Sequence, residues 1–160
     1  MTLATSRRRL LAAVGAGTAT ALAGCSDGGG GDPTYEDGEI DADGEGRSVE
    51  ELIAAEGVAI TSPHQSATAL EAIELREHEF VLEDGYLGST VQGVVENTGD
   101  PIDIAEVRVR VYDDAGDYLG WYLARAGDLD GGERWSFTVV VLQAPTAIAS
   151  YDIAALGTPS

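Results

Sequence analysis

Ala105-Glu106-Val107-Arg108-Val109-Arg110-Val111-Tyr112 decides the fold of this chain. Successive side chains of an extended backbone point to opposite faces. Val107, Val109 and Val111 therefore fall on one face, and Glu106, Arg108 and Arg110 on the other. A strand of this kind has one face in a core and one in water, as antiparallel sheets allow. Asp113-Asp114-Ala115-Gly116-Asp117 then turns the chain, and Tyr118–Ala126 supplies the next strand. Gly127-Asp128-Leu129-Asp130-Gly131-Gly132 turns it again. Trp135, Phe137, Val139 and Val141 share one face of a further strand, Ala144-Pro145-Thr146 breaks it, and Ile148–Leu156 forms the last. Upstream, Leu70–Glu83 carries one or two strands, Asp84-Gly85 a turn, and Thr90–Glu96 another strand. Asn97-Thr98-Gly99-Asp100-Pro101 closes that strand, and Asn97 and Gly99 suit the φ > 0 of a tight turn. Gly93, inside a strand, marks a place where a side chain would collide with a neighbour. No helical pattern of useful length interrupts the strands. The spacing predicts an all-β fold over residues 68–160, an antiparallel β-sandwich of about six or seven strands.

Three motifs in order carry a family resemblance. They are Val91-Gln92-Gly93-Val94-Val95-Glu96-Asn97-Thr98-Gly99, Val109-Arg110-Val111-Tyr112-Asp113-Asp114-Ala115-Gly116, and Leu129-Asp130-Gly131-Gly132-Glu133-Arg134-Trp135-Ser136-Phe137. Together they resemble the FxLYD domain family over roughly residues 70–156. The family's Phe-x-Leu-Tyr-Asp signature stands here as Val109-Arg110-Val111-Tyr112-Asp113. The resemblance implies a small immunoglobulin-like sandwich of the kind frequent on surface lipoproteins of halophilic archaea. It implies no catalytic residues.

The N-terminus reads as an export signal. Ser6-Arg7-Arg8-Arg9-Leu10-Leu11 matches a twin-arginine motif, with Arg7 and Arg8 as its pair, and an uncharged run follows from Leu10 to Ala23. That run suits a signal peptide and is too short for a spanning helix, which needs about 20 residues. Leu22-Ala23-Gly24 leads into Cys25, the one cysteine of the chain. Small residues before the cysteine let a peptidase reach the bond, and the Cys25 thiol takes the lipid. Residues 1–24 are expected to be removed and the protein held by lipidated Cys25 on the extracytoplasmic face of the membrane. With a single cysteine no internal disulfide forms, so the hydrophobic core must hold the fold. Twin-arginine export also implies that the domain folds before it crosses.

Residues 25–47 read as the lipidated cysteine followed by a disordered, acidic, glycine-dotted tether. A flexible chain of ~20 residues spans ~25 Å r.m.s.. Residues 48–67 read as a short helix and a loop. Ser48 is the N-cap, Glu51 completes a capping box, and Gly57 stops the helix. Val49, Leu52 and Ile53 form an apolar face expected to pack on the domain, the alternative being a helix that binds a partner. His64 lies in the loop with no metal partner in view.

Acidic residues number 28 against 9 basic ones, all arginine, for a net charge of −19, and removal of Arg7, Arg8 and Arg9 makes it −19 − 3 = −22. Such a field excludes nucleic acid, whose phosphates need positive charge. It also excludes docking on anionic lipid through a basic patch. Hydrophobic residues at 44% argue against a wholly disordered chain. The pattern fits an acidic surface built for molar salt, where the Debye length falls to ~3 Å.

Three candidate sites follow. Asp113, Asp114 and Asp117 form one acidic cluster, and Asp128, Asp130 and Glu133 another. Hard cations such as calcium take such oxygens, but an intervening strand holds the two clusters ~25 Å apart, and they read as turn residues. His64 and His78 are the two histidines; no nucleophile motif accompanies them, and His78, between Glu77 and Glu79, reads as a surface strand residue. Tyr118, Trp121 and Tyr122 lie in one strand, where alternation puts Trp121 opposite the two tyrosines, one set in the core and the other free to meet a partner. The sequence implies no cofactor. It predicts a non-enzymatic surface lipoprotein serving as a binding or accessory module, with an unknown surface protein as a possible partner. The alternative is a calcium-dependent or hydrolytic enzyme using the acidic loop residues.

Overall fold

In a computed structural model, which describes residues 32–41 and 43–160, the chain is a two-layer antiparallel β-sandwich. The expected export and lipidation residues, Arg7, Arg8, Leu22, Ala23, Gly24 and Cys25, lie outside the described residues. The elements are β1 (Glu36–Glu39), α1 (Val49–Val58), β2 (Ile73–Leu82), β3 (Ser89–Asn97), β4 (Ile102–Tyr112), β5 (Tyr118–Leu129), β6 (Arg134–Val140) and β7 (Ser150–Pro159). A four-stranded sheet runs β1-β7-β4-β5 and a three-stranded sheet β2-β3-β6. The order is immunoglobulin-like, with β2-β3-β6 in the places of strands A, B and E and β7-β4-β5 in those of F, C and C′. The place of strand G, beside F, is taken by β1 from the opposite end of the chain.

The inward alternation of β4 holds as read: Val107, Val109 and Val111 are each 0% exposed. Between the sheets they meet Val91, Val95, Phe137, Val139, Tyr151 and Ile153. Each such side chain contributes roughly 1.5–3 kcal/mol on full burial. Trp135 packs on the edge of the same core.

The stretch read as tether is different from its expectation. Glu36–Glu39 pairs with β7, with Gly38 opposite Tyr151. Gly38 has no side chain, and the Tyr151 ring fills the space where a Cβ would stand. Arg47 closes the stretch, its guanidinium donating to the carbonyls of Tyr86 (2.7 Å), Val141 (2.9 Å), Leu87 and Ser89. Few apolar residues mark this segment, so composition reads as a spacer. Backbone pairing and one arginine hold it instead.

The helix forms with both capping-box bonds: Glu51 N–H donates to Ser48 Oγ (3.2 Å), and Ser48 N–H to Glu51 Oε2 (2.9 Å). It runs one residue past Gly57. Its packed side is Ala55, fully buried, with half-buried Leu52 beside it, while Val49 and Ile53 are 72% and 64% exposed. The apolar residues fall on two sides of the cylinder, and the inner side takes the one nearest Ala55.

Residues 59–68 then form a strap across the outer face of the four-stranded sheet. Ile60 bridges to Leu123 on the free edge of β5, and Thr68 bridges to Gly157 on β7, beyond the reach of β1. The strap buries Leu123, which faces outward with Arg108 yet is 2% exposed.

Three register shifts change which residues face inward: one lies between Ile102 and Ile104 on the β7 side of β4, and two bear on the candidate site residues. Of these two, one falls in β2 between Leu75 and Glu77, the other where Val111 and Tyr112 pair with Gly120 and Tyr118. Gly120 takes φ 148° at the second. β5 continues to Leu129 through part of the expected turn. Asn97 and Gly99 do not take positive φ; among the described non-glycine residues only Asp128 does. Asn97 is instead a buried clamp: its amide donates to the carbonyls of Asp100 (2.8 Å) and Leu129 (2.9 Å), and its oxygen accepts from Gly99 N–H (3.0 Å). Gly99 is required for close approach, since a Cβ there would lie 2.6 Å from that of Ala72.

Candidate functional site

The outer face of the four-stranded sheet was expected to be wet, and the strap makes half of it dry. Glu106 is 0% exposed. Its carboxylate accepts from Arg108 Nε (2.6 Å), Arg125 Nε (2.6 Å) and the backbone N–H of His64 in the strap (2.9 Å). Arg125 also donates to the carbonyl of Ser62, and Arg108 reaches that of His64 at 3.5 Å. His64 thus contributes its backbone to an ion cluster. A buried carboxylate is tolerable only with such partners.

Above the strap the same face stays open. Arg110 grips Asp152 with two bonds, at 2.7 and 2.5 Å, and the Tyr112 hydroxyl donates to the same carboxylate (3.1 Å). Those bonds hold the Arg110 guanidinium above its ordinary range, and burial followed by the Asp152 charge pushes the Tyr112 hydroxyl up. Tyr35, just before β1, lays its ring 3.5 Å from the Arg110 guanidinium carbon. Tyr118 packs edge-on to Tyr112, with ring centres 6.1 Å apart. Trp121 pairs with Arg110 across the strands and lies 5.9 Å from the Arg108 guanidinium.

This arrangement corrects the expected grouping of Tyr118, Trp121 and Tyr122. The bulge shifts the phase of β5 between Tyr118 and Gly120, so Tyr118 joins Trp121 on the outer face. Tyr122 faces the core, 6% exposed, and Tyr118 is 55% exposed. Periodicity without the bulge cannot find this cluster; Gly120 inside a strand was its one local signal. Tyr35 and Asp152 had no signal at all.

The bulge in β2 acts likewise on His78. With Arg76 as the extra residue, His78 pairs with Gly93 and turns inward on the side of Leu75. It is not the surface residue its neighbours Glu77 and Glu79 suggest. Its Nδ1 lies 2.7 Å from the Tyr151 hydroxyl, joining the two sheets, and its Nε2 lies 3.5 Å from Glu36 Oε2 on β1. Tyr151 is 2% exposed, and burial, with the Glu79 charge, pushes its hydroxyl up to about 12. A buried phenol held protonated is a strut between sheets and a poor nucleophile.

That shift makes a prediction about alkaline stability. The folded state keeps the Tyr151 proton that the unfolded chain loses near pH ~10, so this stability is whole below that pH and is lost as pH rises toward 12. The slope is about 1.4 kcal/mol per pH unit. No lysine titrates in this window, because the chain has none. Tyr112 and Tyr118, whose hydroxyls burial also pushes up, add to the same slope. Denaturant unfolding across the window shows the slope, and Tyr151→Phe reduces it; an equal slope in the variant contradicts the assignment.

The acidic loops sit at opposite ends of β5. Asp113 Oδ1 accepts from Ala115 N–H (3.0 Å) and Asp117 N–H (2.8 Å), shaping its own turn, with Asp114 and Asp117 exposed. Glu133 Oε2 accepts from Asp130 N–H (2.8 Å). Among the described residues no group of three His, Cys, Asp or Glu side chains is placed to hold a metal ion. Comparison with protein-family models, curated proteins and solved structures finds no match to this chain.

Proposed function

We propose that this protein is a surface lipoprotein of the FxLYD type, exported through a twin-arginine signal and held on the extracytoplasmic face of the membrane by lipidated Cys25. Its sandwich serves as a non-enzymatic binding or accessory module with an acidic surface suited to high salt. The observation that carries this reading is Leu22-Ala23-Gly24-Cys25, small residues running into the one cysteine of the chain directly behind an uncharged run and Arg7-Arg8.

All six arginines among the described residues are engaged: Arg47 on carbonyls, Arg76 and Arg134 on Glu96, Arg108 and Arg125 on Glu106, Arg110 on Asp152. The His78 ring meets the Tyr151 hydroxyl, and the His64 ring accepts from Ser66 N–H within the strap. The described residues hold no helix long and apolar enough to cross a membrane.

Fractionation of cells expressing Cys25→Ser tests the reading. The wild type is expected in the membrane fraction and the variant, with its thiol gone, in the soluble exported fraction. A variant that stays membrane-bound and takes up lipid label contradicts the anchor.

A further inference from the structure

We propose that the open half of the outer sheet face, centred on Tyr118 and Trp121 with Tyr35 and Tyr112 around the Arg110–Asp152 pair, rests on the headgroup layer of the membrane that carries the protein. The inference rests on the lipoprotein reading above and adds the orientation of the anchored domain.

Three observations converge on a lipid surface as the occupant. The first is reach. Ten residue steps separate Cys25 from Tyr35; fully extended they cover at most about 36 Å. Because β1 is docked on β7 from Glu36 onward, the leash ends there and not after Gly46 as a free tether would. The second is where the leash ends: Tyr35 is itself a member of the cluster, stacked on Arg110. The aromatic face is therefore the part of the domain from which the chain leaves toward its lipid.

The third is chemistry. Tyrosine and tryptophan carry an apolar ring and a polar tip, and settle where hydrocarbon meets water. Tyr118 is 55% exposed at the start of the edge strand β5, while the strap covers the face below it. Asp113, Asp114 and Asp117 lie beside Tyr118 in the adjoining turn. The contact is thus the opposite of a polybasic anchor. On anionic lipid it is opposed by charge in dilute buffer and strengthened by salt, as the Debye length falls from ~10 Å at 0.1 M to ~3 Å at 1 M.

Hydroxyl-radical footprinting of the full lipidated protein tests this without altering the face. The protein is bound to phosphatidylcholine vesicles, with and without phosphatidylglycerol, in molar salt, and compared with Cys25→Ser mixed with the same vesicles. Labelling of Tyr118 and Trp121 is expected to fall about fivefold or more on anchoring, while half-buried Trp135 on the opposite sheet keeps its labelling. On the anionic vesicles this protection weakens in dilute buffer. Tyr118→Ser, a change at an exposed site, restores labelling of Trp121. A protein that floats with the vesicles yet leaves Tyr118 and Trp121 as reactive as in Cys25→Ser overturns the contact and leaves the anchor standing. A protein that does not float overturns the anchor and the contact with it. Protection of Tyr118 by added cell-surface glycan, with none from vesicles, assigns the cluster to a glycan and overturns the proposal.

Discussion

Glu106→Ala is expected to lower the unfolding free energy by about 3–5 kcal/mol, the cost of breaking a buried ion cluster from one side. The substitution removes the shared acceptor of Arg108 Nε, Arg125 Nε and the His64 N–H, leaving two guanidinium groups under the strap with no carboxylate between them. It also loosens the strap, whose remaining backbone ties are at Ile60 and Thr68. Glu106→Gln keeps the shape and one acceptor oxygen, and is expected to cost about half as much. Denaturant unfolding in molar salt measures both. An ordinary outward-facing strand residue changes stability by no more than about 0.5 kcal/mol. A loss that small for Glu106→Ala would mean that the strap does not bury the cluster.

Gly93→Ala is the second large effect. A Cβ at this position overlaps the carbonyl oxygen of Glu77 and comes 2.7 Å from Phe137 Cζ. The ring can move, but the carbonyl belongs to the bulge that turns His78 inward. Overpacking in a core costs about 1–3 kcal/mol where side chains can adjust, and more where backbone must shift. A loss of about 3 kcal/mol is therefore expected, together with loss of the His78–Tyr151 bond between the sheets. Denaturant unfolding reads the first, and the nitrogen chemical shifts of the His78 ring the second. Unchanged stability and unchanged shifts would show that β2 is not bulged at Arg76.

The legible part of this fold was the part governed by period. Val107, Val109 and Val111, and the run Phe137, Val139, Val141, announce a sandwich core through simple alternation, and both runs are buried. Gly93 was legible as a collision site because glycine inside a strand has few other uses. What escaped depends on contacts that no local pattern encodes. The strap covers Glu106 from more than forty positions away in sequence, so alternation rightly turned it outward and wrongly made it wet. Each bulge adds one residue and reverses the faces beyond it, which is why His78 and Tyr118 appeared on the wrong sides. The strand Glu36–Glu39 has acidic and glycine residues that read as spacer, because its ladder bonds use backbone that every sequence has.

Bulges and strap together leave one half of a sheet face dry and ionic and the other half open and aromatic. The open half lies where the chain departs toward Cys25. Whether that departure ends in a lipid is decided most directly by the mass of the N-terminal peptide of the protein extracted from membranes. The expected peptide begins at Cys25 and carries hydrocarbon chains on its sulfur. A peptide that still joins Ala23-Gly24 to Cys25, with the thiol unmodified, would contradict the lipoprotein reading.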